Sequence, residues 1–536
     1  MNDVREAPGG GRGRGFVFAA IGVLLVAGLA VAAYAQAHQR LSQTHQRLSE
    51  ILLVTSLGEV AAQQGRLDEA RASYQQALDS TRALATDDPA NTSLQRQLNA
   101  LLHKLGDGAQ QQGRLDEARS FFQQALDSTQ ALAKADPSNT SLQRDLSLGL
   151  DKLGVVALQQ GRPDEARSFL QQALDTTQAL AKADPSNPSL QRDLALGLGR
   201  LGELAEQQGN LDEALALLQK AHGIHQALAQ ATPSNATLQR KLADSLQRLG
   251  YVAEQQQRMD EARSLFQQSL EVTQALAKTE PSNTTLRSDL GFILDKLGDV
   301  AAKQGRLDDS RSFAQQSLEV TQALAQAVPA KRSFQLALSN QLNKLGYTAD
   351  QQGRLDEARS YWQKALEVQQ PLAKAAPSHL SLQLTLSAQL HSLGSLAMRQ
   401  KRLDEALPFF QQALDITQAL NQANPSNRVL QRHLVSSLDR LGYLADEQKR
   451  PAEARSFFQR SVELRQALAE ADPSDAQLKL DWAYSEVMLA SASFRTGDRQ
   501  AGKTHRTTGE RLLDDPQLKN LPGYHSARYW LAVLPR

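Results

Sequence analysis

The sequence contains no cysteine in 536 residues, which excludes disulfides, thiolate metal sites and cysteine nucleophiles. It also lacks an excess of charge, because 59 basic residues stand against 58 acidic ones and leave a formal charge of +1. Such a chain has no strong field to attract nucleic acid. Strand-rich segments are missing as well. We therefore expect no nucleic-acid partner and no cofactor, and at this length we expect several domains or a repeat array.

Long apolar runs are also missing, apart from one at residues 16–35, which reads FVFAAIGVLLVAGLAVAAYA and contains no charge. A helix of this length spans about 30 Å, roughly the thickness of a bilayer core. We expect a single-pass signal anchor behind a short tail, residues 1–15. The alternative is a cleaved signal peptide, because Ala33-Tyr34-Ala35 has the form of a cleavage site.

Arginines are more frequent before this run than just after it, which weakly places the N-terminus in the cytoplasm. The rest of the chain is then extracytoplasmic. The composition is low in Lys and high in Ala, Leu, Gln and Arg, as in bacterial proteins, and a bacterial chain would place this part in the periplasm.

What the sequence does contain is a repeat with a constant period of 48 residues, which dominates residues 36–512. The motif GRLDEA or a variant of it begins at Gly65, Gly113, Gly161, Gly209, Gln257, Gly305, Gly353, Lys401 and Lys449. A Leu-Gly pair precedes each start by eight residues, and a proline recurs at the same interval. Constant spacing without insertions is what a stack of similar units requires.

Each unit has two stretches with helical period, which we call helix A and helix B. In the third unit the apolar face of helix A comprises Leu142, Leu146, Leu150, Leu153 and Ala157. In the second unit the apolar face of helix B comprises Leu115, Ala118, Phe122, Ala125, Thr129 and Leu132. Gly113 stands at the turn between them, and Pro137 with Asn139 ends helix B and caps the next helix A. We predict an all-α solenoid of about ten αα-hairpins.

Several of these positions resemble the tetratricopeptide repeat family. They are the Leu-Gly pair, the turn glycine and the A-x-x-x-F and Ala positions of helix B, here Leu105, Gly106, Gly113, Ala118, Phe122 and Ala125. The usual unit has 34 residues, against 48 here, and the expected tyrosine after the Leu-Gly pair is Ala109. The resemblance implies a right-handed superhelix whose A helices line a concave groove, and a protein-binding scaffold without catalysis.

The segment GDRQAGKT, residues 497–504, fits the phosphate-loop pattern G-x-x-x-x-G-K-[ST]. A phosphate loop needs a preceding strand, whereas the residues before Gly497 follow the helix A pattern. Gly497 also lies 48 residues after Lys449. The sequence therefore favours the turn of a tenth unit, followed by a C-terminal cap segment at residues 513–536. The less favoured alternative is a nucleotide site through Gly502, Lys503 and Thr504.

Two further patterns have simpler explanations. His222 and His225 are spaced as metal ligands on a helix, but the sequence shows no third ligand, so we predict no metal site. Four asparagines begin N-x-[ST] triplets but also lie in the predicted capping turns, namely Asn91, Asn139, Asn235 and Asn283. No arrangement of nucleophile and base stands out, so no catalytic residue is predicted.

The residue before each Leu-Gly pair forms what we call the cation column, which is basic in seven of nine units. Its members are Ser56, Lys104, Lys152, Arg200, Arg248, Lys296, Lys344, Ser392 and Arg440. The resemblance implies that this position faces the groove and can hold a carboxylate of a bound peptide. The alternative is pairing with an acid three residues later, as in Lys104 with Asp107, Arg200 with Glu203 and Lys296 with Asp299.

In three units a tyrosine takes the place of that acid. The resulting pairs are Arg248 with Tyr251, Lys344 with Tyr347, and Arg440 with Tyr443. A cation beside an aromatic ring suits peptide recognition. We predict that these six residues contact a partner protein or peptide, and the remaining alternative is a mechanical spacer.

Overall fold

The computed structural model describes residues 46–88 and 91–535. The predicted membrane span at residues 16–35 lies outside these ranges. Within them, no helix is long and apolar enough to cross a membrane. The chain divides into two compact units, the first ending at Gln256 and the second beginning at Gln257.

The described residues of the first unit form helices joined by short turns. Its helices are α1 (46–63), α2 (Leu67–Asp87), α3 (Thr92–Gln111), α4 (Leu115–Ala135), α5 (Thr140–Gln159), α6 (Pro163–Ala183), α7 (Pro188–Gln207), α8 (Leu211–Ala231) and α9 (Ala236–Gln255). Odd-numbered helices are A helices and even-numbered ones are B helices. Each A helix from α3 to α7 packs against the B helix that follows it and against the B helix that precedes it.

The second unit continues the same alternation as far as α20, and α21 belongs to the segment after the last hairpin. Its helices are α10 (Met259–Thr279), α11 (Thr284–Lys303), α12 (Leu307–Ala327), α13 (Arg332–Gln351), α14 (Leu355–Ala375), α15 (Leu380–Arg399), α16 (Leu403–Ala423), α17 (Arg428–Glu447), α18 (Pro451–Ala471), α19 (Ala476–Arg495), α20 (Arg499–Leu513) and α21 (Tyr524–Ala532), with a 3-10 helix at Pro516–Leu518. No strand occurs in residues 46–88 or 91–535. The prediction of an all-α array of αα repeats is confirmed.

The turns between A and B helices depend on one residue in the left-handed conformation. Gly113 has a φ of 73° and the other turn glycines are similar, because glycine adopts this conformation without steric cost. Gln257, Lys401 and Lys449 take it too, with φ of 63°, 58° and 59°. For these residues it costs roughly 1 kcal/mol or more. The repeated packing of the array therefore imposes the turn where the sequence does not favour it.

The predicted helix caps are also present. Asn139 accepts a hydrogen bond from the Leu142 amide, and Asn91, Asn235 and Asn283 cap their helices in the same way. Asp116 and Glu117 lie in the first turn of α4, where the helix dipole favours carboxylates. The N-x-[ST] triplets thus have a structural role as capping turns.

The Leu-Gly glycine lets the A and B helices of a repeat approach closely. A Cβ on Gly154 would lie 2.7 Å from Leu170, which is buried on the B helix. A Cβ on Gly394 would likewise lie 2.6 Å from the ring of Phe410. The contact recurs with the period of the sequence and explains why a glycine stands in the middle of each of these helices.

The tenth repeat and the residues after it close the second unit. Gly497, with a φ of 86°, forms the turn between α19 and α20 as the period predicts. Leu518, Ala527 and Leu531 then pack with residues of α19 and α20 in one buried cluster. The segment after α20 therefore covers the apolar end of the last hairpin.

Candidate functional site

The cation column in the first unit forms ion pairs between neighbouring repeats. Lys104 Nζ lies 2.7 Å from Glu59, Lys152 Nζ lies 2.6 Å from Asp107, and Arg248 pairs with Glu203. Each acid lies 45 residues before its cation, on the preceding A helix. The column therefore stabilises the stacking of A helices, and pairing within one helix is the minor pattern.

Pairing within one helix does occur at two positions, but it is loose. Arg200 lies 3.6 Å from Glu203, three residues on, and 3.6 Å from Asp151 on α5. In the second unit Lys296 lies 4.0 Å from Asp299. Neither Arg200 distance is short enough for a hydrogen bond.

Lys344 in the second unit has the tightest surroundings in the column. Its Nζ lies 2.7 Å from both oxygens of Asp295 and 3.0 Å from both oxygens of Asp299. Burial by itself lowers the pKa of Lys344, but the two carboxylates outweigh this and raise it. Lys344 is thus held by the protein itself, on α11.

Arg440, on α17, differs from the other cations. It is exposed, and it makes no hydrogen bond or ion pair with any residue in the described part of the chain. The two positions on α15 that correspond to the acids facing Lys344 are His391 and Ser395. Burial and, to a smaller extent, the positive charge of Arg440 together lower the pKa of His391 to about 4. The positive charge of Arg440 is therefore not neutralised by the preceding A helix.

The three predicted tyrosines have unequal exposure. Tyr251 is 40% exposed and Tyr347 is 45% exposed. The Tyr347 hydroxyl lies 2.9 Å from Ser392 Oγ on α15, and its ring meets the edge of Trp362 at 5.3 Å. Tyr443 is only partly exposed and packs against Phe458 at 5.3 Å, and burial raises its pKa. Two rings thus lie on the surface, whereas Tyr443 belongs to the packing beneath Arg440.

The histidine pair on α8 lacks the geometry of a metal centre. His222 Nδ1 lies 2.9 Å from Ser245 Oγ on α9. Burial, with Lys241 and His222 nearby, lowers the pKa of His225 to about 4. Across the described ranges, no three His, Cys, Asp or Glu side chains are grouped as metal ligands.

The segment 497–504 does not form a phosphate loop. Helix α20 begins at Arg499, so Gly502, Lys503 and Thr504 lie inside a helix. Thr504 Oγ donates to the Gln500 carbonyl at 3.1 Å, and Gly502 packs on Phe494. A phosphate loop needs backbone amides that point at the ligand, whereas here Asp498 accepts hydrogen bonds from the amides of Ala501 and Gly502.

Two cavities on the A helices escaped the sequence analysis. One, of about 260 Å³, lies between α5 and α7 and is lined in part by Leu148, Asp151 and Leu196. The other, of about 290 Å³, lies between α11 and α13 and includes Asp295. Asp151 and Asp295 occupy the same position of the repeat. In the sequence, each of these acids comes just before a member of the cation column. Acids are so frequent in the repeat that this pattern did not stand out.

Comparison with known families settles which family this fold represents. Four family models described as tetratricopeptide repeat match residues 54–89, 97–179, 188–220, 242–281, 339–370 and 384–467. The chain belongs to the tetratricopeptide repeat family. As a tetratricopeptide repeat protein it is a helical scaffold of a kind suited to binding proteins. No curated protein sequence matches it significantly.

Solved tetratricopeptide repeat structures and other helical structures resemble the chain only distantly. The apo form of RapI shares 10% identity over 79% of this chain and 100% of its own, with a TM-score of 0.48. BtubC from P. vanneervenii shares 18% identity over 49% of this chain and 94% of its own, with a TM-score of 0.38. A tetratricopeptide repeat protein from Parabacteroides merdae shares 15% identity over 64% of this chain and 99% of its own, with a TM-score of 0.32. Likeness at this level carries no argument about function.

Proposed function

We propose that this tetratricopeptide repeat protein binds an acidic segment of another protein on its A helices, with Arg440 as the principal anchor. The observation that carries the proposal is the missing carboxylate opposite Arg440. Lys104, Lys152 and Lys344 each have such a carboxylate on the preceding A helix. Arg440 faces His391 and Ser395 instead, so its charge is available to a ligand.

The surroundings of Arg440 suit a peptide. A guanidinium can hold a carboxylate through two parallel hydrogen bonds. On the neighbouring A helices, Ser392 holds the exposed ring of Tyr347 by its hydroxyl. A tyrosine ring fixed in this way supplies contact area at a low cost in conformational entropy. Tyr347 and Arg440 are therefore the proposed contacts in the second unit, with Tyr443 as the support beneath Arg440.

The predicted pairs in the remaining units play smaller parts in this proposal. Arg248 is held by Glu203 and Lys344 by Asp295 and Asp299, so each would have to leave an acid to bind a ligand. The exposed ring of Tyr251 is the contact proposed for the first unit. We expect Arg248 and Lys344 to position the A helices more than to bind.

The test compares charge reversals on the two sides of the repeats. Membrane pull-downs use the full-length chain, with Arg248, Lys344 and Arg440 changed to glutamate together and singly. Matched reversals at Arg66, Arg114 and Arg354 alter turn residues that pair with acids three positions on. We expect Arg440→Glu to release the partner while circular dichroism shows unchanged helicity. Loss of the partner only in the turn variants would place recognition at the turns and overturn the proposal.

The proposal also includes anchoring by residues 16–35, an extracytoplasmic repeat region and no catalysis. The uncharged run of twenty residues supports the anchor. Carbonate washing at alkaline pH should leave the full-length chain in the membrane pellet. A soluble mature chain beginning at Gln36 would replace the anchor with a cleaved signal peptide.

A further inference from the structure

The cavity between α5 and α7 has an incompletely paired carboxylate in its wall. Asp151 is 9% exposed and makes no hydrogen bond with any residue that the structure describes. The nearest cation, Arg200, comes no closer than 3.6 Å, through Nε, and that Nε is itself buried without a hydrogen-bond partner. Burial raises the pKa of Asp151, although Arg200 and Lys152 oppose this. A buried carboxylate without donors is costly, so the site favours an added cation.

The other acids of this cavity are already paired. Asp145 lies 2.9 Å from Arg96, and Asp193 lies 2.7 Å from Arg144. The rest of the lining is mixed: Leu148 and Leu196 contribute exposed apolar side chains, and the polar residues there are the paired arginines and Ser141, Ser147 and Thr177. A ligand group there would meet one incompletely paired carboxylate, that of Asp151, in a cavity that Leu148 and Leu196 also line.

In the second unit, the aspartate that corresponds to Asp151 is paired with a cation. Asp295 stands 144 residues after Asp151, three repeats on, in the same register. There the chain supplies its own cation, because Lys344 Nζ lies 2.7 Å from both Asp295 oxygens. In the first unit the residue in the register of Lys344 is Arg200, whose contact with Asp151 is loose. The aspartate at this position of the repeat is therefore fully paired in the second unit and incompletely paired in the first.

We propose that the cavity between α5 and α7 binds an arginine or lysine side chain of a partner protein. Its charged group lies against Asp151, and its aliphatic stem lies between Leu148 and Leu196, as long basic side chains do on apolar surfaces. A charge-assisted pair in a partly buried site supplies the specificity. This site in the first unit binds a positively charged group, whereas Arg440 in the second unit binds a negatively charged one. The present proposal therefore does not depend on whether Arg440 binds an acid.

The probe for this site is the peptide acetyl-Ala-Arg-Ala-amide, with the citrulline peptide as its neutral isostere. Methyl NMR on the full-length chain follows Leu148 and Leu196 while each peptide is added to millimolar concentration. The matched variants are Asp151→Asn and Asp295→Asn, which are similar in size and occupy the same register. Melting temperatures confirm that both variants fold.

We expect the arginine peptide to shift both leucine methyl signals, and the citrulline peptide to shift them at least fivefold less. Asp151→Asn should abolish the response, and Asp295→Asn should preserve the response, because Asp295 lines the other cavity, in the second unit. The proposal is overturned if the wild-type chain does not respond, if citrulline acts equally, or if Asp151→Asn responds like wild type.

Discussion

The A helices of the two units place their charges in the same register but balance them differently. In the first unit Lys104, Lys152 and Arg248 each have an acid on the preceding A helix. In the second unit Lys344 has two acids, and Arg440, two repeats later, has none within the described ranges. The period therefore fixes where a side chain lies, whereas one residue on the neighbouring helix decides whether its charge stays available.

Two histidines show the same contrast. His103 and His391 share one register, and each ring lies near a phenylalanine of the B helix, at 5.7 Å and 6.1 Å. Burial lowers the pKa of both, but Asp107 and Asp145 oppose this at His103. At His391 the neighbours are Arg440 and His433, which lower the pKa further, to about 4. The second unit should thus be the more sensitive to acid at this position.

The largest expected effect comes from acidification. A neutral His391 contributes stability that is fully present above the unfolded pKa of about 6.5 and is lost as the pH falls toward 4. The loss amounts to at most about 3.5 kcal/mol, because each unit of pKa shift corresponds to about 1.4 kcal/mol. Urea unfolding between pH 7 and 4 measures it. His391→Leu should flatten this dependence more than His103→Leu does, and equal slopes in both variants would remove the contrast between the units.

The next effect concerns the Leu-Gly glycine. Gly154→Ala in the first unit brings a Cβ to 2.7 Å from buried Leu170, and overpacking of this kind costs about 1 to 3 kcal/mol. Gly298→Ala in the second unit meets nothing closer than 3.4 Å, because Ala314 stands where other repeats have a large side chain. The second variant should be neutral or more stable by up to about 1 kcal/mol. Denaturation midpoints compare them, and equal losses would show that the facing residue does not decide the cost.

A smaller effect on stability is expected when the cation beside Asp295 or the cation beside Asp151 is removed. Lys344→Met leaves Asp295 and Asp299 without their shared cation, for which we expect a loss of about 1 to 2 kcal/mol, between the values for exposed and buried pairs. Arg200→Met should cost less than about 1 kcal/mol, since Arg200 makes no hydrogen bond to Asp151. Unfolding free energies of the two variants test this order. A larger loss at Arg200 would mean that Asp151 is already satisfied by the protein.

The period of the sequence was sufficient to predict the helices, the turns at Gly113 and Gly497 and the caps at Asn139 and its equivalents, because these depend on residues near in the chain. It did not predict the partner of Lys104, which is Glu59 and not Asp107. That pairing depends on how neighbouring A helices align side by side. The burial of Tyr443 depends likewise on Phe458 of the B helix and on Tyr484 of the next repeat. Contacts between repeats could therefore not be predicted from the sequence of a single repeat.

The most direct test of the account is the affinity of the captured partner for two single variants, measured by calorimetry or surface plasmon resonance. Arg440→Glu removes the cation that lacks a carboxylate opposite it, and Arg354→Glu alters a turn cation in the same unit that pairs with Glu357. We predict that Arg440→Glu weakens binding by about 30-fold or more, as expected for loss of a hot spot of about 2 kcal/mol, while Arg354→Glu changes it less than about twofold. Unchanged affinity in Arg440→Glu, with a large loss in Arg354→Glu, would contradict the account.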